Sequence, residues 1–186
     1  MDRDEIEGAL RELADVLDER GVIARIYLVG GAAMVLAYES RFATDDADGS
    51  GYPTEEVLAV AAEVAERRGL RSNWLDDSVT VYFPVAGEPE WHPVIKVGSV
   101  EVVVADERTL LAMKMRASRG RRDEADIQFL LGKCRITSVD DALALYEEYF
   151  PEDDLPPQAI PMLRHALDGP GREQQMQLLH TRARCP

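Results

Sequence analysis

The sequence predicts an α/β (α+β) sheet domain with a helical C-terminal half. Three observations predict it. Short runs rich in Val and Ile alternate with helix-patterned stretches up to about residue 106. Beyond that point every periodic segment is helical. The chain has 186 residues, 46% apolar and 30% charged, which is the balance of a globular chain that buries its own core. The expected organisation is a core over 1–106 and a helical part over 107–186, with a weakly ordered tail over 169–186.

Taken in order, Ile6, Leu10, Leu13, Val16 and Leu17 recur at helical spacing, so the first twenty residues read as a helix stopped by Gly21. Ile26 to Val29 is a short apolar strand, Gly30-Gly31 a turn, and Ala32 to Tyr38 a helix. The stretch TDDADG reads as a short acidic element ended by Gly49-Ser50-Gly51. Pro53 suits the first residue of a helix that runs to Arg68 and stops at Gly69. Residues 79–85 (VTVYFPV) read as a strand, and 94–97 with 100–105 as a hairpin turning at Gly98-Ser99. Helices are expected over 107–118, 122–132 and 138–149. Pro151, Pro156, Pro157 and Pro161 mark a break, and a last helix covers 158–168.

Composition excludes several classes. Cys134 and Cys185 are too few and too far apart for a disulfide framework or a cysteine zinc site. His92, His165 and His180 show no metal-ligand spacing. No apolar run is long enough to span a membrane, and MDRDEIEGAL has no signal-peptide character, so a cytoplasmic protein is expected. The net charge of −14 argues against a general nucleic-acid coat. That charge is uneven. Residues 1–107 carry 23 acids against 9 bases, while 108–186 carry 12 of each. From Arg108 to Arg122 stand six bases and no acid: Arg108, Lys114, Arg116, Arg119, Arg121 and Arg122. Such a strip suits a phosphate-bearing ligand, or else is a solvated face balanced by acids elsewhere.

Three stretches could carry chemistry. A strand, the Gly30-Gly31 turn and a helix bring backbone N–H groups close to an anion, although many such turns bind nothing. Thr44, Asp46 and Asp48 alternate, so in an extended segment they share one face. Two neighbouring carboxylates repel, and a divalent cation such as magnesium removes the penalty and binds phosphates too. The alternative is an acidic solvated loop. In LLAMKMRASRGRRDEADIQFLL, Lys114 borders an apolar helix face, and Asp123 and Asp126 lie one turn above the next one. These could orient a triphosphate and a nucleophile. Asp123 also reads as an N-cap and Lys114 as a snorkelling side chain. Trp74, Trp91, Met113, Met115 and Cys134 read as packing residues.

The blocks LVGGAAMVLAYESR (Leu28–Arg41), TDDAD (Thr44–Asp48), WLDD (Trp74–Asp77) and Leu110–Leu131 resemble the nucleotidyltransferase-like proteins of the DNA polymerase β superfamily found in toxin–antitoxin operons, the AbiEii and MenT-type group. The resemblance covers about residues 22–150 and implies a nucleotidyltransferase-like fold, a small mixed β-sheet flanked by helices. It implies that Gly30 and Gly31, with Thr44 nearby, form the nucleotide-phosphate turn and that Asp46 and Asp48 hold Mg2+. It further implies that Lys114 contacts the triphosphate and that Asp126, with Asp123, completes the catalytic set. It implies transfer of a nucleoside monophosphate from an NTP with loss of pyrophosphate. In the MenT-like branch the acceptor is the 3′ end of tRNA, which makes the protein a toxin with a cognate antitoxin as possible partner. Two departures stand out: Gly30-Gly31 replaces the more usual Gly-Ser, and the third carboxylate of a later strand has no clear counterpart, Glu101 standing at about the right place.

The expected function is therefore magnesium-dependent nucleotidyl transfer to RNA, probed by Arg116, Arg119, Arg121 and Arg122 as RNA-binding residues whose grip should weaken with salt. Thr44 reads as a β-favouring residue in a strand; alternatively, its phosphorylation would add charge beside the metal ligands and inactivate the protein. Two other functions remain: nucleotidylation of a partner protein, and a non-catalytic binding module on the same fold.

Overall fold

The computed structural model describes residues 1–38 and 43–168. Arg41 and the expected weakly ordered tail, with His180 and Cys185, lie outside the described residues. The chain divides into two compact units: residues 1–83 with 90–106, and residues 84–89 with 107–186.

The first unit is a mixed sheet with helices. Its elements are α1 (Arg3–Glu19), β1 (Ala24–Leu28), α2 (Gly30–Leu36), β2 (Ala47–Tyr52), α3 (Thr54–Arg68), β3 (Leu75–Asp76), a 3-10 turn (Asp77–Tyr82), β4 (Trp91–Val97) and β5 (Val100–Ala105). Asp2 caps α1 reciprocally with Glu5, and Ile6, Leu10, Leu13 and Leu17 form its buried stripe. The described strands are ordered β3-β2-β1-β5-β4. β1 runs parallel to β5 and antiparallel to β2, β2 parallel to β3, and β4 antiparallel to β5.

Strand alternation gives this sheet two different faces. Ala24, Ile26, Leu28, Ala47, Val100, Val102 and Val104 are buried on one side. There Gly51 faces Val57 of α3 so closely that a Cβ would lie 2.5 Å from Val57 Cγ1. The other side carries Arg25, Tyr27, Asp48, Ser50, Tyr52 and Glu101, paired across the strands as Arg25–Tyr52, Tyr27–Ser50 and Arg25–Glu101. α1 and α3 are tied by ion pairs from Arg68 to Glu12 at 2.5 Å and from Arg20 to Glu63 at 2.6 Å. These sit at the surface and contribute little individually.

The second unit contains, among the described residues, α4 (Glu107–Ala117), α5 (Arg121–Lys133), α6 (Val139–Tyr149) and α7 (Ala159–Asp168). Ser118 and Gly120 take positive φ between α4 and α5, at 44° and 67°. Ser138 caps α6 through Asp141 N at 3.1 Å. Residues 84–89 join this unit through Val85 N and Ala86 N, which both donate to Tyr149 O at 3.3 Å.

Several expectations are corrected. The stretch 79–85 is not a strand. Residues 77–82 form the 3-10 turn, started by Asp76 accepting from Ser78 N at 2.9 Å. None of its residues is buried, so its β-branched side chains have no core to join. Gly49-Ser50-Gly51 does not end an element but lies inside β2. Its glycines are there for close approach, since a Cβ on Gly49 would lie 2.9 Å from Tyr27 O. Pro53 is the N-cap of α3, not its first residue. Gly120, not Asp123, is the N-cap of α5.

Candidate functional site

In the first unit the polar sheet face converges on the turn between β1 and α2. Gly30 has φ +58°, a conformation that costs other residues strain. A Cβ there would collide with Asp48 Oδ2, and Asp48 Cγ and Cβ would stand 2.8 and 2.9 Å away. Gly31 N donates a long hydrogen bond to Asp48 Oδ2 at 3.4 Å, and Val29 N donates to Asp48 O at 2.9 Å. The Gly-Gly turn and Asp48 are thus one structural feature, and one of the turn's amides already faces a carboxylate.

The expected alternation of Thr44, Asp46 and Asp48 along one strand is corrected. Only Asp48 belongs to β2; Asp46 lies in the bend that precedes it. Thr44 is buried, and its backbone is held by the N-terminus. Thr44 N donates to Met1 O at 2.9 Å and the Met1 ammonium donates to Thr44 O. The segment is fixed by the start of α1, so it does not extend as a free strand.

Sequence reasoning missed Asp76. β3 runs parallel to β2 with Asp48 directly opposite Asp76 and Ala47 opposite Leu75. Strand spacing of about 4.8 Å puts the two residues side by side; the Asp76 carboxylate accepts from Ser78 N at 2.9 Å and that of Asp48 from Gly31 N at 3.4 Å. Glu101, the position considered instead, lies on β5 and is paired with Lys96 at 2.8 Å. That salt bridge, with Arg25 3.9 Å away, accounts for its lowered pKa. The signal for Asp76 was in WLDD: buried Trp74 anchors the segment by donating its indole N–H to Ala61 O at 2.8 Å, and Ala47 N donates to Trp74 O at 2.7 Å. The residue two after that anchor falls opposite Asp48.

Like charges directly across a strand pair are unfavourable. A cation offsets this. Magnesium needs one or two carboxylates and takes its remaining ligands from phosphate oxygens and water. Asp48 with one neighbouring carboxylate, Asp76 across the strand pair or Asp46 in the bend before β2, matches that donor chemistry. Among the described residues there is no group of three or more His, Cys, Asp or Glu side chains that could hold a metal ion.

In the second unit Lys114, Asp123 and Asp126 come together as a buried ionic cluster. Lys114 is 3% exposed, Asp123 0% and Asp126 2%. Lys114 Nζ stands 2.7 Å from both Asp123 Oδ1 and Asp126 Oδ2. Arg119 N and Nε donate to Asp123 Oδ2 at 3.1 Å each. Burial alone pushes Asp123 up, but the charge and hydrogen bonds of Lys114 and Arg119 outweigh it and hold its pKa low. The α4–α5 turn is thereby closed around a compensated charge. Lys114, expected to contact a triphosphate, has its charge met twice within its own unit.

The basic strip is likewise opposed by acids. Arg108 pairs with Glu148 at 2.6 Å, and Arg116 pairs with Asp153 at 2.5 Å while lying 4.6 Å over the Phe150 ring. Arg119 pairs with Asp123. Arg122 is exposed, and the side chain of Arg121 lies outside the described residues.

Comparison with family models, with curated proteins and with solved structures found no match to this chain.

Proposed function

We propose that this chain is a magnesium-dependent nucleotidyltransferase that moves a nucleoside monophosphate from an NTP to the 3′ end of an RNA, tRNA being the expected acceptor, and so acts as a toxin restrained by a partner antitoxin. The observation that carries this reading is the seating of Asp48 in the Gly30-Gly31 turn with Asp76 opposite it. Asp48 and a neighbouring carboxylate, Asp76 or Asp46, would hold the cation, which when bound offsets the charge of the triphosphate. The backbone of the turn would stand against the phosphates. An acceptor hydroxyl attacks the α-phosphorus in line, the bond to the bridging oxygen breaks, and pyrophosphate leaves. The Lys114–Asp123–Asp126 cluster acts here as a brace for the α4–α5 turn, since its charges are already matched.

The pairing of Arg108, Arg116 and Arg119 with acids of their own unit favours a second acceptor, a hydroxyl on a partner protein, because it leaves less basic surface for an RNA backbone. One experiment separates the two. The protein is incubated with each α-labelled NTP, magnesium and total RNA, and the label is followed into RNA and into protein, with Asp46→Ala and Asp48→Asn as controls. Label in RNA from the unsubstituted chain alone supports the first reading, and label in protein supports the second. No label in either, with all four NTPs, removes the transferase reading.

A further inference from the structure

Of the aromatic side chains of the first unit that stay outside its core, three come together. Tyr27, Trp91 and Phe83 are each half-buried, whereas Trp74 is 1% exposed and hydrogen-bonded inside the unit. Tyr27 and Trp91 meet edge to face, with centroids 4.9 Å apart and planes at 79°. Phe83 tilts against Trp91 at 5.7 Å. The Arg25 guanidinium lies 5.5 Å from the Tyr27 ring centroid. The residues beneath them are small: β5 offers Val103 opposite Tyr27 and Ala105 opposite Trp91, both fully buried. Two rings from β1 and β4 therefore meet across β5, forming a shelf on the polar side of the sheet.

The shelf is continuous with the carboxylate site. Tyr27 is directly opposite Ser50, and Ser50 is two residues from Asp48 on the same face of β2. One strand repeat of about 7 Å separates the row of Tyr27 from the row of Asp48. A ligand held at Asp48 by its phosphates and extending along the sheet would pass Ser50 and reach the rings. Aromatic rings beside an arginine bind the π-face of a nucleobase without regard to its sequence, by stacking and cation–π attraction. We propose that Trp91, set edge to face against Tyr27 and backed by Phe83, with Arg25 over the Tyr27 ring, stacks the base of the nucleoside triphosphate. This inference rests on the nucleotide-binding reading of Asp48 and extends it to the part of the substrate that carries no charge.

The test uses the full chain and the emission of its two tryptophans. Trp74 is enclosed, so a base stacking on the shelf must act on Trp91. Each NTP with magnesium should quench emission saturably. Inorganic triphosphate with magnesium should leave emission unchanged yet compete for the site. Trp91→Ala, read by calorimetry because it lacks the reporting ring, should raise the apparent Kd for NTP about tenfold or more, the scale of one lost base stack, and leave the affinity for inorganic triphosphate as it was. Trp91→Phe should lose the quench and less of the affinity, which guards against an Ala variant that folds poorly. Asp48→Asn should weaken NTP and inorganic triphosphate alike. If Trp91→Ala binds NTP as tightly as the unsubstituted chain while Asp48→Asn does not, the shelf is overturned and the nucleotide site stands. If a short single-stranded RNA quenches Trp91 and NTPs do not, the rings serve the acceptor and the proposal is wrong. If neither triphosphate binds, the shelf falls together with the reading beneath it.

Discussion

Asp48 occupies the space in which residue 30 would carry a side chain. Its Cγ and Cβ would stand 2.8 and 2.9 Å from a Cβ on Gly30, whose φ of +58° already disfavours any other residue. Gly30→Ala must therefore displace the carboxylate as well as strain the turn. Stability should fall by about 1–2 kcal/mol, the cost of a left-handed non-glycine residue, read as a lower urea midpoint. Magnesium-NTP affinity should fall further than this strain accounts for, because the ligand itself has moved. Unchanged nucleotide affinity in a folded Gly30→Ala protein would separate the turn from the site.

Asp76 lies opposite Asp48, whereas Glu101 is engaged by Lys96 on β4. Asp76→Asn should reduce nucleotidyl transfer by about 10- to 100-fold, the range seen when the support of a bound metal is removed. Glu101→Gln should leave the rate near that of the unsubstituted chain. Initial rates at saturating NTP and a range of magnesium concentrations check both, and the Asp76→Asn loss should be partly recovered at high magnesium.

Lys114 meets two carboxylates inside the second unit at 2.7 Å each. Replacing it with methionine keeps most of the volume and takes the shared cation from two buried acids, leaving Asp123 to Arg119. The expected loss is about 3–5 kcal/mol of unfolding free energy, as for other broken buried pairs. Lys114→Met combined with Asp123→Asn and Asp126→Asn should recover much of it. Urea unfolding of the unsubstituted chain, these two variants and Asp123→Asn with Asp126→Asn alone gives the coupling directly. A mild loss in Lys114→Met, with no recovery in the triple variant, would mean that the cluster does not brace the helices.

The same cluster sets a pH dependence. Asp123 has its folded pKa lowered from 3.8, with burial opposing and Lys114 and Arg119 prevailing. A lowered folded pKa means that the folded state binds fewer protons than the unfolded one as the pH drops. The stabilisation is then complete above the unfolded value and is lost as pH falls through the folded value. Urea midpoints measured from pH 7 down to pH 3 should decline more steeply for the unsubstituted chain than for Asp123→Asn. Parallel curves would remove Asp123 from the acid sensitivity.

Tyr146 Oη is buried, with no hydrogen-bond partner among the described residues, and burial raises its pKa. A buried hydroxyl without a partner carries its desolvation cost uncompensated. Tyr146→Phe removes that oxygen and keeps the ring that packs 5.2 Å from Phe150. Its melting temperature should equal or exceed that of the unsubstituted chain, and a clear drop would reveal a partner for the hydroxyl.

These predictions differ in how far the sequence led to them. Helical periodicity and its stop residues located α1, α3 and the helices after residue 106 to within a few positions, because apolar spacing and terminal residues are local properties. The hairpin at Gly98-Ser99 was legible for the same reason. Gly49 and Gly51 were misread because a glycine chosen for close approach looks like a glycine chosen for a turn. Only the neighbours, Tyr27 and Val57, tell them apart. Residues 79–82 have strand propensity but no buried position to use it. Asp76 escaped notice since its place depends on the register of a two-residue strand with β2, a long-range property that no local pattern carries. Gly30, Gly31 and Asp48 were nominated from the sequence. The fact that glycine and carboxylate occupy adjoining space came from the structure.

The most direct measurement is calorimetric titration of the protein with a non-hydrolysable NTP, with and without magnesium, for the unsubstituted chain, Asp48→Asn and Asp76→Asn. The account predicts binding that requires magnesium in the unsubstituted chain and is lost or strongly weakened in both variants while their unfolding midpoints hold. Binding of equal strength without magnesium, or in Asp48→Asn, would contradict it.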